Sequence, residues 1–357
     1  MARSISKEFK KDLESGPLSA IMDEIKNNNK YIICFRDESI NIYYRGHSLL
    51  FIKREPRKGY LASFDLGHAR YYKEYFEIIQ ELKKLRIGGM RVVITLNNNN
   101  EKNIMEQNYS LEFHINGRTI KQKSVINQVM NLLKNYIDDF CAGGKRYDYF
   151  ERVNSNSSIL REKKHQQALF IEHQNRNESD LLFYDMELSL PKPKKKTEEY
   201  NTIMLEIGTH ITGAPDCLAV RLKNGVATKI VLVEVKSTSE ACSGDHGIKK
   251  HDEDFNKIIK CSYYRKFIVE SMKETLDLYA RYGLCGKISI PDNIGEKEDD
   301  FEILYFFTHK DVINWTVNSR NDNKDNLKKY KELYGQNPQM FIDYSNTMKK
   351  LLGKDYD

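Results

Sequence analysis

Residues 214–237 read APDCLAVRLKNGVATKIVLVEVKS, and this stretch decides the fold predicted for the second half of the chain. Two apolar, β-branched runs of strand length, 218–222 and 230–235, lie on either side of Asn224-Gly225. An Asn-Gly pair between two such runs is a strong signal for a tight turn that joins antiparallel strands. The sequence therefore predicts a β-hairpin.

The second strand of this hairpin carries two charged residues, Glu234 and Lys236, in an otherwise apolar run. Positions two apart on a strand share one face and lie about 7 Å apart, so the two side chains point the same way. Charged groups on a buried strand lose water at a cost unless they bind each other, a metal ion or a ligand. We therefore expect the chemistry of the protein on this face.

The register of the hairpin decides whether a second acid, Asp216, joins Glu234. A two-residue turn places Asp216 opposite Val233, so that its side chain points to the wrong face. A three-residue loop, 224–226, places Asp216 directly opposite Glu234, with both carboxylates on one face. Gly225 can adopt the left-handed conformation that such a bulged loop needs. We therefore predict the three-residue loop.

These residues resemble the signature of a known enzyme superfamily. Pro215-Asp216 followed, after a gap, by Glu234-Val235-Lys236 looks like the motif of the PD-(D/E)XK nucleases, which include restriction enzymes, repair nucleases and junction resolvases. The resemblance covers about residues 157–310 and does not extend to the first half of the chain. Its motif is short and degenerate, so the order of the flanking elements matters to the argument.

The resemblance implies a metal-dependent catalytic centre. It implies that Asp216, Glu234 and the backbone carbonyl of Val235 hold one or two Mg²⁺ ions, for which Mn²⁺ can substitute. Lys236 is then expected to position the attacking water and to stabilise the transition state. A lysine beside two carboxylates should stay protonated, which suits a stabiliser better than a free base.

The predicted elements around the hairpin follow the αβββαβ order, with a mixed central sheet, that the resemblance implies. They are a helix over 159–173, a strand over 181–190, the hairpin, a helical pattern over 248–282 with a break near 261–262, and a strand over 301–308. In the superfamily the first core helix often carries an acid that faces the metal site. We choose Glu162 for this role, with Glu172 as the alternative.

The fold class predicted for the whole chain is α/β, in three parts. Residues 1–150 form an α+β domain, residues 151–310 the restriction-endonuclease-like core, and residues 311–357 a helical extension. The first domain is predicted from strands over 31–36, 39–45, 48–53, 60–65 and 90–96, and from helices over 71–85 and 120–140. Its role stays open among nucleic-acid recognition, sensing and dimerisation, so a homodimer is one candidate assembly.

Two groups of lysines lie next to the proposed site and are candidates for nucleic-acid binding. Lys194, Lys195 and Lys196 form a basic connector, and Lys249 and Lys250 open the helix after the hairpin, where free backbone amides favour an anion. The alternatives are a solvated loop for the connector, and pairing with the acids at 252–254 for the helix lysines.

Composition excludes several other classes of protein. The chain has 357 residues, of which 57 are basic and 51 acidic, and its net charge of +6 is compatible with a polyanionic partner without demonstrating one.

Six cysteines without a Cys-x-x-Cys pair, and the lack of a signal peptide or an apolar membrane span, favour a cytoplasmic protein with reduced thiols. The motifs of nucleotide-driven motors, serine hydrolases and zinc proteases are absent. The residues His210, Cys242, His246 and His251 lack the paired spacing of zinc modules.

The function expected from these observations is hydrolysis of phosphodiester bonds by a metal-dependent endonuclease. DNA is the preferred substrate, and restriction or phage defence is the preferred setting. Two alternatives stay open: a structure-specific nuclease that resolves junctions, and a non-catalytic nucleic-acid-binding protein that retains the nuclease fold.

Overall fold

The structure is a computed structural model that divides into two compact units, residues 3–144 and residues 145–357, the latter with residues 1–2. It describes residues 4–16, 18–28, 30–44, 47–55, 59–65, 91–97, 108–115, 131, 134, 157–174, 180–191, 193, 195–209, 211–238, 240–242, 247–308 and 329–333. The fold is mixed, with helices and two β-sheets, one in each unit.

The first unit is built on an antiparallel sheet of six strands. Its elements are α1 (Lys7–Glu14), α2 (Ser19–Asn27), β1 (Ile32–Arg36), β2 (Ser39–Tyr44), β3 (His47–Glu55), β4 (Gly59–Asp65), β5 (Arg91–Asn97) and β6 (Asn108–Ile115). The strand order is β1-β2-β3-β4-β6-β5, and every neighbouring pair is antiparallel. The four strands predicted over residues 31–65 are present, whereas β6 was not predicted. The helices predicted over 71–85 and 120–140 lie outside the described residues, except for helical positions 131 and 134.

Helix α1 packs against β4 of this sheet. Ser6 caps its amino end by accepting a hydrogen bond from the Phe9 amide at 3.3 Å, as serine commonly does at this position. Phe9 is fully buried and packs against Tyr60 of β4, with ring centroids 5.1 Å apart. The Tyr60 hydroxyl donates a 2.6 Å hydrogen bond to Asp12. The packing of Phe9 and the hydrogen bond between Tyr60 and Asp12 therefore hold α1 against β4.

The second unit is built on a mixed sheet of four strands. Its elements are α3 (Ser157–Gln174), β7 (Leu181–Met186), α4 (Glu198–Ile207), β8 (Cys217–Lys223), β9 (Val226–Lys236), α5 (Ile248–Lys260), α6 (Ser262–Arg281) and β10 (Phe301–Phe307). The strand order is β10-β9-β8-β7, in which β10 runs parallel to β9 and the other pairs are antiparallel. Strand β9 is therefore central, and residues 230–236 are all buried.

Most of the elements predicted in this unit are present. The predicted break in the long helix is confirmed: α5 ends at Lys260, Cys261 is extended (φ −77°, ψ 114°), and α6 begins at Ser262. Strand β7 ends at Met186 rather than at residue 190, because Glu187 adopts a left-handed conformation (φ 52°) that interrupts pairing.

Helix α4 was missed, although the sequence carries a signal for it. Thr197 caps the helix by accepting a hydrogen bond from the Tyr200 amide at 3.1 Å, and two glutamates follow in the first turn. A threonine cap followed by acids is a recognised helix start.

The hairpin turn differs from the prediction, and the three-residue loop was wrong. Lys223 pairs with Val226 around a two-residue turn in which Asn224 (φ 53°) and Gly225 (φ 74°) are both left-handed. Two left-handed residues define the turn type that matches the twist of a hairpin, and Asn-Gly is its preferred sequence.

A β-bulge at Thr228 restores the register that the predicted loop was meant to provide. Leu222 pairs with Ala227, but Arg221 pairs with Lys229, so Thr228 is the extra residue in the register, and its hydroxyl donates a 3.3 Å hydrogen bond to the carbonyl of Arg221. The shifted register continues to the end of the ladder, where Cys217 pairs with Val233. Asp216, which precedes Cys217, is therefore level with Glu234, which follows Val233.

Candidate functional site

Asp216 lies immediately before β8 and is tied to the backbone of two neighbouring segments. Its carboxylate oxygen Oδ2 accepts a 2.7 Å hydrogen bond from the amide of Val235, and its carbonyl accepts a 2.7 Å hydrogen bond from the amide of Glu187. A strand residue directs its N–H and its C=O to the same side. The carbonyl of Val235 therefore faces the β8 side of β9, as its amide does.

Glu234 and Lys236 lie on β9 with their side chains buried side by side. Their exposed fractions are 1% and 3%, and the Lys236 ammonium Nζ is 2.5 Å from Oε1 of Glu234. The other carboxylate oxygen, Oε2 of Glu234, has no hydrogen-bond partner among the described residues. A buried carboxylate oxygen without a partner is costly, and a cation would satisfy it.

Glu162 of α3 interacts electrostatically with this pair. Burial raises the pKa of Glu162 above its ordinary value, Lys236 opposes the rise and Glu234 adds to it. Glu172, the alternative acid, lies ten residues further along α3. The structure therefore places Glu162, the acid we chose from the sequence, among the charges of the site.

The charges of Asp216, Glu234, Glu162 and Lys236 shift one another's pKa values, some upward and some downward. Burial raises the pKa of Asp216 well above its usual range, and the nearby charges of Glu234 and Glu162 raise it further. Burial would also raise the pKa of Glu234, but Lys236 and His251 hold it below its usual value. Burial would lower the pKa of Lys236, yet the three carboxylates raise it, so the lysine stays protonated.

The net charge of the buried acids and Lys236 bears on whether a divalent cation fits between them. If all three carboxylates were ionised, they and the one ammonium would leave two negative charges in a buried site, and that excess favours either protonation or a bound cation. Within the described ranges, no group of three or more His, Cys, Asp and Glu side chains is arranged to hold a metal ion. The proposed donor set contains two carboxylate side chains, Asp216 and Glu234, and the backbone carbonyl of Val235. Carboxylate and carbonyl oxygens are the ligands that Mg²⁺ takes. The donor set therefore fits Mg²⁺ completed by water.

A residue that the motif did not reveal, His251 of α5, also contacts Glu234. Its ring nitrogen Nδ1 is 3.1 Å from Oε1 of Glu234, and its ring packs edge-on against Phe255 at 5.8 Å. From the sequence we had considered His251 only as a zinc ligand with three other residues. His210 and His246 of that set lie outside the described residues, and Cys242 packs in an apolar cluster with Ile248, Tyr305, Phe307 and Tyr330.

Asp254, one helical turn after His251, holds the loop that leads into Asp216. Its fully buried carboxylate accepts hydrogen bonds from the amide and hydroxyl of Thr212, at 3.1 and 2.9 Å, and from the amide of Gly213 at 2.8 Å. A Cβ atom on Gly213 would lie only 3.2 Å from Nδ1 of His251. The absence of a side chain at Gly213 thus lets the loop approach the helix closely.

The lysines expected to bind nucleic acid differ in their surroundings. Lys195 and Lys196 are exposed ahead of α4, and Lys249 is exposed in the first turn of α5, whereas Lys194 lies outside the described residues. Lys250 forms an ion pair with Asp254, which is the pairing that we had named as the alternative to phosphate binding.

Comparisons with protein-family models, with curated proteins and with solved structures give no match. None of the described helices is both long enough and apolar enough to cross a membrane.

Proposed function

We propose that this protein is a metal-dependent nuclease of the PD-(D/E)XK type, with its catalytic centre at Asp216, Glu234 and Lys236. The observation that carries the proposal is the hydrogen bond from the Val235 amide to Asp216, because it brings the acid of one strand beside the acid and lysine of the next. The element order of the second unit, α3-β7-β8-β9-α5/α6-β10 with the intervening α4, supports it.

The carboxylates of Asp216 and Glu234, with the carbonyl of Val235, would hold one or two Mg²⁺ ions. Such an ion, when bound, lowers the pKa of a water ligand and neutralises charge on the scissile phosphate. Lys236 stays protonated between the carboxylates and donates hydrogen bonds to the developing charge on the phosphate oxygens. Glu162 adds a further carboxyl group, whose pKa burial raises, to the same cluster.

The substrate in this proposal is DNA, and the setting is restriction or phage defence within the cytoplasm. The exposed Lys195, Lys196 and Lys249 would bind the phosphate backbone, while Lys250 is already paired with Asp254. Junction-resolving activity is the alternative within the same chemistry.

The direct test is cleavage of plasmid and single-stranded DNA with Mg²⁺ or Mn²⁺, in the wild type, Asp216→Ala and Lys236→Ala. We expect metal-dependent cleavage that both substitutions reduce by about 10²-fold or more, since each removes a group that acts on the transition state. Lys229→Ala, which removes a lysine from the exposed end of the same strand, is the matched control and should cleave normally.

Undiminished activity in both site variants would refute the proposal. A wild type that binds DNA but neither cleaves it nor binds Mn²⁺ would favour the non-catalytic alternative.

A further inference from the structure

The carboxylate of Glu234 is held from two directions by two different elements. Lys236, on the same strand, approaches Oε1 to 2.5 Å, and His251, on α5, approaches the same oxygen to 3.1 Å through Nδ1. Among the described residues Oε2 has no partner, and Nδ1 of His251 meets Oε1 at ion-pair distance without completing a hydrogen bond. Both contacts thus fall on one oxygen and leave the other available.

The position of His251 is fixed by its own surroundings. Its ring packs edge-on against Phe255, which is fully buried, and lies over Gly213, where a Cβ atom would come within 3.2 Å of Nδ1. Asp254 binds the amide of Gly213 and so holds this glycine against the helix. The helix and the loop therefore determine where Nδ1 lies.

Lys236 cannot orient Glu234 by itself. Both side chains leave the same strand two residues apart, so rotation of the Glu234 carboxylate could exchange its two oxygens against the ammonium, which donates in three directions. A planar imidazole on a separate helix donates in one direction only. A second donor of this kind, fixed by packing, removes the ambiguity.

We propose that His251 is a positioning residue of the site: its Nδ1 holds Oε1 of Glu234, so that Oε2 is presented to the bound cation. The inference rests on the proposed function and deepens it, because it adds a helix-borne residue to the strand-borne motif. Residues that orient metal ligands in this way usually affect metal affinity by 10- to 100-fold.

The first experiment is calorimetric titration of Mn²⁺ into wild type, His251→Ala, His251→Asn and His251→Gln. The Asn amide nitrogen lies close to the place of Nδ1, whereas the Gln amide nitrogen lies close to the place of Nε2. We expect His251→Ala to bind Mn²⁺ about 10- to 100-fold more weakly, Asn to restore most of the affinity and Gln to restore little. Thermal melts in EDTA show that each variant is folded.

Unchanged affinity in a folded His251→Ala protein would overturn the inference. So would rescue by Gln without rescue by Asn, because the relevant atom would then be Nε2 rather than Nδ1.

A second experiment needs no metal and separates this inference from the proposed function. Long-range ¹H–¹⁵N spectra of the full chain in EDTA, with the His251 signals assigned by their loss in His251→Asn, report which ring nitrogen carries a proton. We expect a proton on Nδ1, and a ring protonated only at Nε2 would overturn the inference. A wild type that has the Nδ1 proton but binds no Mn²⁺ would refute the proposed function and uphold the contact.

Discussion

Lys236 is the residue on which the charge balance of the site depends. It is buried with three carboxylates around it, and its pKa is raised because each of them favours the ammonium. Breaking a buried pair by removing one partner leaves an uncompensated buried charge, whereas replacing both partners by neutral groups is often tolerated. The lysine should therefore contribute to stability as well as to chemistry.

We expect Lys236→Met to destabilise the metal-free protein by about 3–5 kcal/mol, because Glu234 keeps its charge and loses its cation. The measurement is urea unfolding in EDTA at pH 7. The double variant Glu234→Gln/Lys236→Met should recover much of this loss. A single variant as stable as the wild type would show that Glu234 takes up a proton at little cost.

The sequence predicts Glu234 and Lys236 of the strand, and the family resemblance adds Glu162 of α3, but His251 of α5 was missed for a physical reason. The spacing of Glu234 and Lys236 fixes their common face locally, because side chains alternate along a strand. The contact of His251 with Glu234 depends on how α5 packs against the sheet and on the close approach of Gly213. Periodicity contains no information about such a contact.

At the scale of the element, the hairpin adopts the turn that Asn-Gly prefers rather than the longer loop that was predicted. The chemistry required Asp216 to be level with Glu234, and a three-residue loop was the simplest way to obtain this. Asn224-Gly225 instead forms its preferred two-residue turn, and the extra residue appears as a bulge at Thr228. The shift in register was predicted from the proposed metal-binding chemistry, whereas its location was not, because a bulge has no firm sequence signal.

Helix α5 connects the two strands of the site through residues three apart. His251 contacts Glu234 of β9, and Asp254 holds Thr212 and Gly213 in the loop before β8. Residues three apart lie on one face of a helix. One face of α5 therefore supports both carboxylate-bearing segments.

We expect Asp254→Asn to destabilise the protein by about 1–3 kcal/mol at pH 7, because a buried acceptor of several hydrogen bonds loses its charge. Burial opposes ionisation, but hydrogen bonds from Lys250, Gly213 and Thr212 hold the pKa of Asp254 below its usual value. Its stabilisation is thus present above the unfolded pKa of about 3.9 and lost as the pH falls through the folded pKa. The difference from wild type in urea unfolding should therefore shrink below about pH 4.

Glu253→Gln, at the exposed neighbouring position, is the control for this variant and should leave stability unchanged. A difference between Asp254→Asn and wild type that stays constant down to pH 2 would contradict the linkage.

At the scale of the whole molecule, the candidate site belongs to one unit. Glu162, Asp216, Glu234, Lys236 and His251 all lie between residues 145 and 357, and none comes from the six-stranded sheet of the first unit. The sequence predicts this separation, because the nuclease-like motif and the elements around it occur only in the second half. The role of the first unit was not predictable, since its strands follow ordinary alternation and carry no catalytic spacing.

We therefore expect a fragment of residues 145–357 to bind Mn²⁺ with the affinity of the full chain, and to lose this binding on Asp216→Asn. Every proposed donor and the helix that positions Glu234 are retained in it. Circular dichroism establishes that the fragment is folded, and calorimetry measures the affinity. If residues 3–144 recognise DNA or form a dimer, the fragment should differ from the full chain in DNA affinity or in mass by light scattering, but not in metal affinity. A folded fragment that binds Mn²⁺ much more weakly than the full chain would show that the first unit contributes to the site.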